Sequence, residues 1–583
     1  MSSPTRGALR RSLAFMSKHW LQTALSFVFL ILSAAGNLAV PRITQEVVDS
    51  GILGSRAGVI LAGTLVIVGV TALRSLFTFL QGVLAARVSQ HVAFDMRNAL
   101  YDKIQHLSFS YHDQAQTGQL LTRATSDVDQ VRNFISMGVI QIVTTFLLLG
   151  GSLYLLFGTN WRLALHVIPV MAVVGVVFFF ISRVGRPMFR VVMEKVASLN
   201  HQLEENIVGV RMVKAYRGAV AERQRFENSN EDLMQYSRRV ARLFAFAMPL
   251  VFAMSNFGTL VVTWGGGVQI LAERLTVGEL VAFQGYLFLA MFPITTLGWV
   301  MMSISQASAS AERIFEILDA RSDVVEKPTA STLAPMQEGL VFEDVEFRYV
   351  GSGAPILSGV SFRTSAEETI AIVGETGSGK STIVNLIPRF YDVTSGRITI
   401  DGIDVRDVTL QSLRRQIGIV LEETTLFGGT VRENIAYGRP DASDAEVRRA
   451  AEAASAADFV ADLPDGYDST IGERGVTLSG GQKQRLAIAR ALLIEPRILV
   501  LDDSTSSVDF ETEAKIRAAI ERLRIGRLSL VIASRLSTVQ NADRILVMEG
   551  GRVAAMGDHS SLLHENALYA EIYYSQLQPE AVA

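Results

Sequence analysis

Long apolar runs, separated by short polar or basic segments, dominate the first 320 residues of the chain. A helix needs about 20 mostly apolar residues to cross a hydrocarbon core of roughly 30 Å. This requirement is met near residues 21–45, 58–85, 136–158, 161–183, 246–271 and 278–303. The pattern therefore predicts an all-α, six-helix transmembrane domain over residues 1–320.

Basic residues are distributed unevenly between these spans. They cluster between the second and third spans and between the fourth and fifth, whereas the connections around Asp49, Asn160 and Glu273 are short and much less basic. Because Lys and Arg concentrate on the cytoplasmic side of a membrane protein, both termini are expected in the cytoplasm. The basic start, Met1 to Lys18, lacks the small-residue cleavage site of a signal peptide and is expected to lead into a retained helix.

Each basic connection carries amphipathic helical periodicity on both sides of a short break. The breaks lie near Ser108 to Gly118 and near Ala215 to Glu222. If the spans continue as helices at about 1.5 Å per residue, the tips of these connections reach roughly 35–40 Å beyond the membrane. The alternative is a pair of charged, solvated loops.

The second half of the chain has the pattern of a soluble α/β domain. A polar linker over residues 321–338, punctuated by Pro328 and Pro335, precedes a domain over residues 339–583. Its first segment, Leu340 to Tyr349, alternates between apolar and polar residues as a strand does. The apolar run from Thr369 to Val373 suits a buried strand.

A glycine-rich loop follows that buried strand directly and opens a helical segment. Its spacing matches G-x-x-x-x-G-K-[ST], in which backbone N–H groups surround the phosphates of a nucleotide. Lys380 is expected to neutralise phosphate charge and the Ser381 hydroxyl to ligate Mg²⁺. The loop residues are Gly374, Glu375, Thr376, Gly377, Ser378, Gly379, Lys380, Ser381 and Thr382.

Two further segments carry matching chemistry. The apolar strand from Arg497 ends in Asp502, a carboxylate placed to hold Mg²⁺ through water. A second glycine pair precedes a helix that is expected to begin near Lys483, and it offers another anion-facing cradle. That segment consists of Leu478, Ser479, Gly480, Gly481 and Gln482. One γ-phosphate cannot be served by both cradles of a single domain, so the pattern predicts two domains face to face, each completing the other's site.

Composition narrows the remaining possibilities. The 583 residues carry a formal net charge of −3 with a pI near 6.3, which gives no basic signal for a nucleic-acid partner. The chain has no cysteine, so disulfides, thiolate metal sites and cysteine nucleophiles are excluded.

With these motifs the chain resembles a half-size ATP-binding cassette (ABC) transporter of the exporter type, over nearly its whole length. Leu478 to Gln482 matches the family signature, Phe109 to Arg123 with Asp127 matches the first coupling segment, and Gly209 to Tyr216 with Glu222 and Phe226 resembles the second. The resemblance further implies that Tyr349 stacks on adenine, that Asp509 signals across the domain interface, and that Ile471 to Gly475 links the ATPase to the coupling segments. ATP and Mg²⁺ are the implied ligands.

The chain departs from the family pattern at three catalytic positions. Asp503 stands where a glutamate polarises the attacking water, Ser534 replaces a histidine that contacts the γ-phosphate, and Glu422 replaces a glutamine that touches Mg²⁺ and water. Drift in a working site is the alternative interpretation of any one replacement. Because the binding residues are retained, the three together resemble the degenerate-site subunit of a heterodimeric bacterial exporter in the plasma membrane.

The resemblance thus predicts a second, non-identical half-size transporter as partner, with amphipathic drugs or lipids as substrates. Aromatic residues in the spans, such as Phe77 and Phe252, suit such substrates but equally suit lipid contact or helix packing. Arg74 lies within a span, where an arginine meets an anionic head group or pairs with a polar neighbour. An importer of a lipid or siderophore on the same fold, and an ATP-gated channel or regulator, remain alternatives.

Overall fold

The computed structural model describes residues 7–421, 424–472, 475, 478–502, 510–533 and 536–577. The chain separates into two compact units. One comprises Met1–Gln105 and Thr117–Ala320, and the other comprises His106–Gln116 and Arg321–Ala583. We call the first the helical unit and the second the α/β unit.

Helices make up almost all of the helical unit, and the longest have 27 to 70 residues. In chain order to residue 320 the chain's helices are α1 (Ala8–Ala14), α2 (Trp20–Glu46), α3 (Ala57–His106), α4 (Phe109–Gln114), α5 (Thr117–Thr122), α6 (Val128–Asn133), α7 (Val139–Val208), α8 (Val210–Ala215), α9 (Ala219–Leu271) and α10 (Val277–Leu318), of which α4 belongs to the α/β unit. Short 3₁₀ or π turns join some of them, at Phe15–His19, Val47–Leu53, Arg123–Asp127 and Phe134–Gly138.

Several of these helices are long and apolar enough to cross a membrane. Within the described residues, four continuous stretches qualify by length and composition, namely Ala8–Leu53, Ala57–His106, Thr117–Val208 and Ala219–Leu271, and Val277–Met291 is a shorter apolar stretch. The third stretch contains both the third and the fourth predicted spans, because the helix runs on around a kink at Asn160.

The kink in α7 has a local cause. Asn160 leaves the helical region, with φ −156° and ψ 100°, and its side chain accepts a hydrogen bond from the backbone N–H of Leu163 at 3.0 Å. This bond caps the helix that follows. The amide of Asn160 also donates to Gln269 Oε1 at 2.6 Å, which ties the kink to the end of α9. The kink therefore divides α7 into two helical arms.

Two segments lie between the long helices where the breaks are predicted. The first tip, His106–Gln116, contains α4 and is part of the α/β unit. The second tip, residues 207–220, contains α8 and is part of the helical unit. A left-handed residue, Arg217 with φ +54°, turns the chain from α8 towards α9.

The α/β unit contains two larger sheets. The strands are β1 (Leu340–Phe347), β2 (Leu357–Arg363), β3 (Thr369–Gly374), β4 (Ser395–Ile400), β5 (Ile403–Asp404), β6 (Ile417–Val420), β7 (Gly429–Thr430), β8 (Thr470–Ile471), β9 (Ile498–Asp502), β10 (Leu528–Ile532), β11 (Arg544–Glu549) and β12 (Arg552–Gly557). In the described part of the chain, one sheet has the order β2-β1-β4-β5 and is antiparallel, and the other has the order β12-β11-β3-β10-β9-β6. In the second sheet β11, β3, β10, β9 and β6 run parallel, and β12 is antiparallel at the edge.

Helices cover the parallel sheet and form a smaller α-helical part beside it. They are α11 (Lys380–Leu386), α12 (Leu410–Arg414), α13 (Val431–Ile435), α14 (Asp444–Ala453), α15 (Ala457–Ala461), α16 (Gly480–Leu493), α17 (Phe510–Arg524), α18 (Leu536–Gln540), α19 (His559–Glu565) and α20 (Ala567–Ile572). Almost every residue of the central strands β3, β9 and β10 is buried, as expected for parallel strands that are covered on both faces. This confirms the predicted fold class, an apolar helical domain followed by an α/β domain.

Candidate functional site

The glycine-rich loop joins β3 to α11, and its backbone geometry requires glycine at both ends. Gly374 has φ +153°, and a Cβ there would lie 2.3 Å from the carbonyl oxygen of Met548 on β11. Gly379, with φ +99°, caps α11, and a Cβ there would lie 2.6 Å from Leu357 Cδ2. A larger residue would therefore displace the backbone of β11 at Gly374 or the Leu357 side chain at Gly379, and it would be strained by the positive φ at either position.

The polar groups of this loop point to a role in anion binding. Lys380 Nζ donates to the carbonyl oxygens of Gly374 and Glu375, at 2.7 and 2.8 Å, so its ammonium group lies within the loop. Burial lowers the pKa of Lys380, and the charge of Asp502 opposes that shift. The Ser378 hydroxyl is buried and has no hydrogen-bond partner among the described residues. A phosphate group would supply one.

The other residues of the loop are more accessible. Glu375, Thr376 and Gly377 are exposed, and Ser381 in the first turn of α11 is exposed as well. Thr382 is buried, and its hydroxyl lies 3.3 Å from Tyr349 Oη. The middle of the loop and Ser381 are therefore accessible to solvent.

The order of the parallel strands brings the two predicted Mg²⁺ ligands to one edge of the sheet. β10 lies between β3 and β9, and its Ile532 is in register with Ile372 on one side and with Asp502 on the other. Parallel strands end at the same edge, so Asp502 and the loop after β3 both lie there. A carboxylate and a hydroxyl near a phosphate cradle suit a hard cation such as Mg²⁺.

Tyr349, the predicted adenine-stacking residue, follows β1 within a group of aromatic rings. Its ring meets that of Phe347 at 4.8 Å and that of Tyr391 at 5.2 Å, each edge to face. Sequence reasoning missed Tyr391, whose hydroxyl also donates to Asp113 Oδ2 in the first tip at 2.8 Å. The adjacent aromatic pair Phe390-Tyr391 was the available signal.

The second cradle is the N-terminus of α16. The Ser479 hydroxyl accepts from the backbone N–H of Gln482 at 3.3 Å, and Gln482 Oε1 accepts from the backbone N–H of Ser479 at 2.9 Å. These reciprocal bonds form a capping box, so the helix begins at Gly480 and not near Lys483 as predicted. Gly480 is exposed and Gly481 is buried, while Leu478 packs into the core.

Four of the predicted site residues lie outside the described residues. They are Glu422, Asp503, Asp509 and Ser534. Their roles stay predictions, as do those of the described residues above.

The first tip packs closely within the α/β unit. The ring of Phe109 packs at a tilt against that of Phe390, with centroids 4.2 Å apart, and the Ser110 hydroxyl donates to Asp323 Oδ2. The backbone N–H of Asp323 in turn donates to Ser108 Oγ at 3.2 Å. Further along, Asp127 is buried and accepts hydrogen bonds from Arg313 Nε and Nη2.

Arg74, which lies in a predicted membrane span, has a polar neighbour. Arg74 Nη1 donates to Asn37 Oδ1 at 2.5 Å, and a Cβ on Gly36 would lie 3.2 Å from Arg74 Cβ. The sequence left two alternatives for Arg74, contact with an anionic head group or pairing with a polar neighbour. The structure shows the pairing, with Asn37.

Comparisons with known proteins agree with this architecture. Residues 23–294 match the ABC transporter transmembrane region, and residues 357–506 match the ABC transporter family. The ABC transporter ATP-binding protein YknV of Bacillus subtilis (strain 168) is 38% identical over 553 residues, which cover 95% of this chain and 91% of that protein.

Two further relatives point in the same direction. The ATP-dependent lipid A-core flippase of Syntrophus aciditrophicus (strain SB) is 36% identical over 576 residues, covering 98% of this chain and 95% of the flippase. A solved structure of a bacterial Atm1-family ABC exporter with ATP bound is similar with a TM-score of 0.80 at 30% identity, over 95% of this chain and 98% of that chain. The chain therefore belongs to the ABC transporter family, as a half-size exporter that joins one transmembrane region to one ATP-binding domain.

Proposed function

We propose that this chain is the degenerate-site subunit of a heterodimeric exporter, which binds ATP firmly, hydrolyses it poorly, and works beside a second, non-identical half-size transporter. The observation that carries the proposal is a contrast within one site. The groups that bind nucleotide are all present, whereas Asp503, Ser534 and Glu422 replace the groups that perform hydrolysis.

Each retained binding group has a physical task. Tyr349 would stack on the adenine ring. The backbone N–H groups of the loop from Gly374 to Thr382, together with Lys380, would hold the β- and γ-phosphates. Ser381 and Asp502 would hold Mg²⁺, which neutralises phosphate charge when it is bound. The charge of Asp502 acts to raise the pKa of Lys380, which supports placing the lysine and the proposed Mg²⁺ ligand in one site.

The replaced groups weaken the chemical step. The Asp503 side chain is one methylene shorter than glutamate, and a displacement of about 1 Å can cost on the order of 10²-fold in rate. Ser534 is neutral and too short to reach the γ-phosphate as histidine does. Glu422 adds a negative charge near the metal and the attacking water, although a carboxylate can also ligate Mg²⁺.

The intact signature gives this chain a second task at the partner's site. Leu478, Ser479, Gly480, Gly481 and Gln482, with Asp509, would complete the ATP site of the partner. The partner is accordingly expected to carry the catalytic glutamate and histidine, and to have an altered signature of its own. The capping box at Ser479 supports this task, because it leaves the N-terminus of α16 preformed.

The second tip supports the presence of another subunit. Its apolar side chains are exposed, with Val208 at 81% and Tyr216 at 78% of their full accessibility. Exposed apolar and aromatic residues clustered at one end of a protein are typical of a protein–protein contact. We assign this surface to the ATP-binding domain of the second half-transporter.

The transport mechanism would be alternating access. ATP binding would close the two nucleotide domains, and the long helices would carry that movement into a bacterial plasma membrane, with both termini on the cytoplasmic side. The degenerate site would keep the domains associated while hydrolysis at the other site resets the cavity. Amphipathic or lipid-like compounds are the proposed substrates, which the similarity to lipid A-core flippases supports.

The composition of the assembled transporter tests this proposal. The full chain is tagged in its native host, isolated in mild detergent and weighed intact by mass spectrometry. We expect one copy of this chain with one copy of an unlike half-size transporter that carries glutamate and histidine at the two catalytic positions. A homodimer with robust ATPase activity and transport would refute the pairing.

A further inference from the structure

A cavity of about 430 Å³ lies in the α/β unit, at the edge of the parallel sheet opposite to the glycine-rich loop. Its lining includes residues that directly precede two strands, Pro496 and Arg497 before β9 and Gly526 and Arg527 before β10. Asp502 ends β9, and five strand residues at about 3.3 Å each place it roughly 16 Å from the start of that strand. The cavity is therefore distinct from the predicted nucleotide site, and its volume is typical of small-molecule pockets.

The lining of the cavity carries an excess of positive charge. It includes four arginines and two glutamates, and its other residues are uncharged. The charged residues are Arg439, Arg449, Arg497, Arg527, Glu446 and Glu495. A concave surface with this balance attracts anions and repels cations.

Two of the six charged residues neutralise each other. Arg439 Nη2 donates to Glu446 Oε1. Glu446 Oε2 also accepts from the backbone N–H and from the hydroxyl of Ser443, at 2.8 and 2.7 Å. This pair is satisfied within the protein, so the charges left to the cavity are those of three arginines and Glu495.

The three remaining arginines lack carboxylate partners. Arg449 and Arg497 are exposed, and neither guanidinium makes a hydrogen bond or an ion pair to any residue that the structure describes. Arg527 Nη1 donates to the carbonyl oxygen of Leu523. Burial lowers the pKa of Arg527, the charge of Glu495 opposes this shift, and the charge of Arg497 adds to it. The like charges of Arg497 and Arg527 therefore repel each other, and a bound anion would relieve that repulsion.

Apolar side chains form the rest of the lining. α14 contributes Ala450 and Ala453, and α16 contributes Leu492 and Leu493. Ile525, between α17 and β10, also lines the cavity and is 75% exposed. A bare inorganic ion gains nothing from such a wall, whereas the carbon part of an organic anion would be removed from water against it.

We propose that this cavity is a second anion site of the chain, which binds a small organic phosphate monoester outside the ATP site. A phosphate monoester carries about two negative charges at pH 7, which matches the charge left by three arginines and Glu495. The guanidinium groups of Arg449 and Arg497 donate to the phosphate oxygens, since their planar forks suit phosphate. The apolar wall contacts the organic group. The site does not depend on pairing with a second subunit.

The test uses para-azidophenyl phosphate, a photoreactive phosphate monoester, on the full chain in the assembled transporter. After illumination, mass spectrometry measures labelling of the segments 449–453 and 492–497. We expect saturable labelling there, which phenyl phosphate should suppress at a concentration at least about threefold lower than inorganic phosphate, because only the ester contacts the apolar wall. Competition curves give the Kd of each unlabelled compound.

Arg449→Ala and Arg497→Ala should each raise the Kd of phenyl phosphate at the cavity by at least about tenfold, since each removes charge-assisted hydrogen bonds. Glu495→Gln should lower this Kd by about threefold, because it removes a repelling charge. Labelling of the loop from Gly374 to Thr382 serves as an internal reference and should not change in any of the three variants.

Arg448→Ala is the matched control. Arg448 is adjacent to Arg449 on α14, but it lies outside the cavity lining, with its guanidinium carbon 4.9 Å from the ring centre of Tyr467. Its loss removes the same charge and should change the Kd by no more than about twofold. Should an alanine variant fail to fold, Arg449→Gln and Arg497→Gln replace it.

Three results would overturn the inference. The first is labelling of the cavity segments that is absent or not saturable. The second is a Kd that neither Arg449→Ala nor Arg497→Ala raises, or that Arg448→Ala raises equally. The third is equal suppression by inorganic phosphate and phenyl phosphate, which would contradict the assignment to an organic ester.

Discussion

Each of the two tips contains one short helix, but the two tips differ in their environment. In the first tip, Phe109 packs against Phe390 and Asp113 accepts a hydrogen bond from Tyr391, so the segment is part of the packed α/β unit. In the second tip, Val208 and Tyr216 are exposed. The first tip thus packs within the chain's own α/β unit, and the exposure of the second tip supports the proposal that it contacts a second subunit.

The largest effect is expected when two exposed side chains of the second tip are truncated to alanine. We expect Met212→Ala with Tyr216→Ala to lower both the amount of co-purified partner and ATP turnover by at least about tenfold, because each truncation of a central contact costs on the order of 1–2 kcal/mol of binding free energy. Since both side chains are exposed, the free energy of unfolding should change by no more than about 0.5 kcal/mol. Pull-down, ATPase activity and thermal unfolding measure these three quantities.

The control for this variant is Ile525→Ala, which removes an equally exposed apolar side chain from the α/β unit. It should leave partner recovery and turnover unchanged. Normal assembly of the double variant would remove the second tip as a subunit contact.

A smaller effect tests the first tip. Tyr391→Phe removes the hydroxyl that donates to Asp113, which is expected to lower the free energy of unfolding by about 1 kcal/mol. Burial and the bond to Asp113 raise the pKa of Tyr391. A raised pKa means that this stabilisation is complete below the unfolded value, about 10, and is lost as the pH rises through the folded value.

The difference in melting temperature between wild type and Tyr391→Phe should therefore be constant from about pH 6 to 9 and narrow only above about pH 10. Tyr574→Phe, at an exposed position, should show no difference at any pH. A melting temperature equal to that of the wild type at neutral pH would show that the hydroxyl contributes nothing to docking of the first tip.

The parts of the fold that could be predicted from the sequence are those set by local pattern. Apolar runs predicted the helical domain, and the buried run from Thr369 predicted the central strand β3. The start of α16 was wrong by three residues, because glycines were taken as loop residues while the Ser479 side chain caps the helix directly ahead of Gly480. Helix propensity alone does not show the hydrogen bond from the backbone N–H of Gln482 to the Ser479 side chain, which sets the start of the helix.

The candidate site divides in the same way. The phosphate loop could be predicted because its groups are contiguous and their spacing alone carries the chemistry. The contacts of Tyr391 with Asp113 and of Arg490 with Asn434 could not, because the partners are 278 and 56 positions apart in the chain. Such pairs form only through tertiary packing, and no local sequence pattern around Tyr391 or Arg490 indicates which residue it will contact.

The central claim, that this chain keeps its ATP-binding groups and has lost its catalytic ones, is tested most directly by restoring them. Asp503→Glu with Ser534→His is introduced into the assembled transporter, and vanadate-trapped photoreactive nucleotide is measured on this chain, with Lys380→Ala as the control that removes binding. The account predicts that trapping on this chain rises by at least about tenfold, as for a regained general base. Trapping that equals the wild-type level would contradict it.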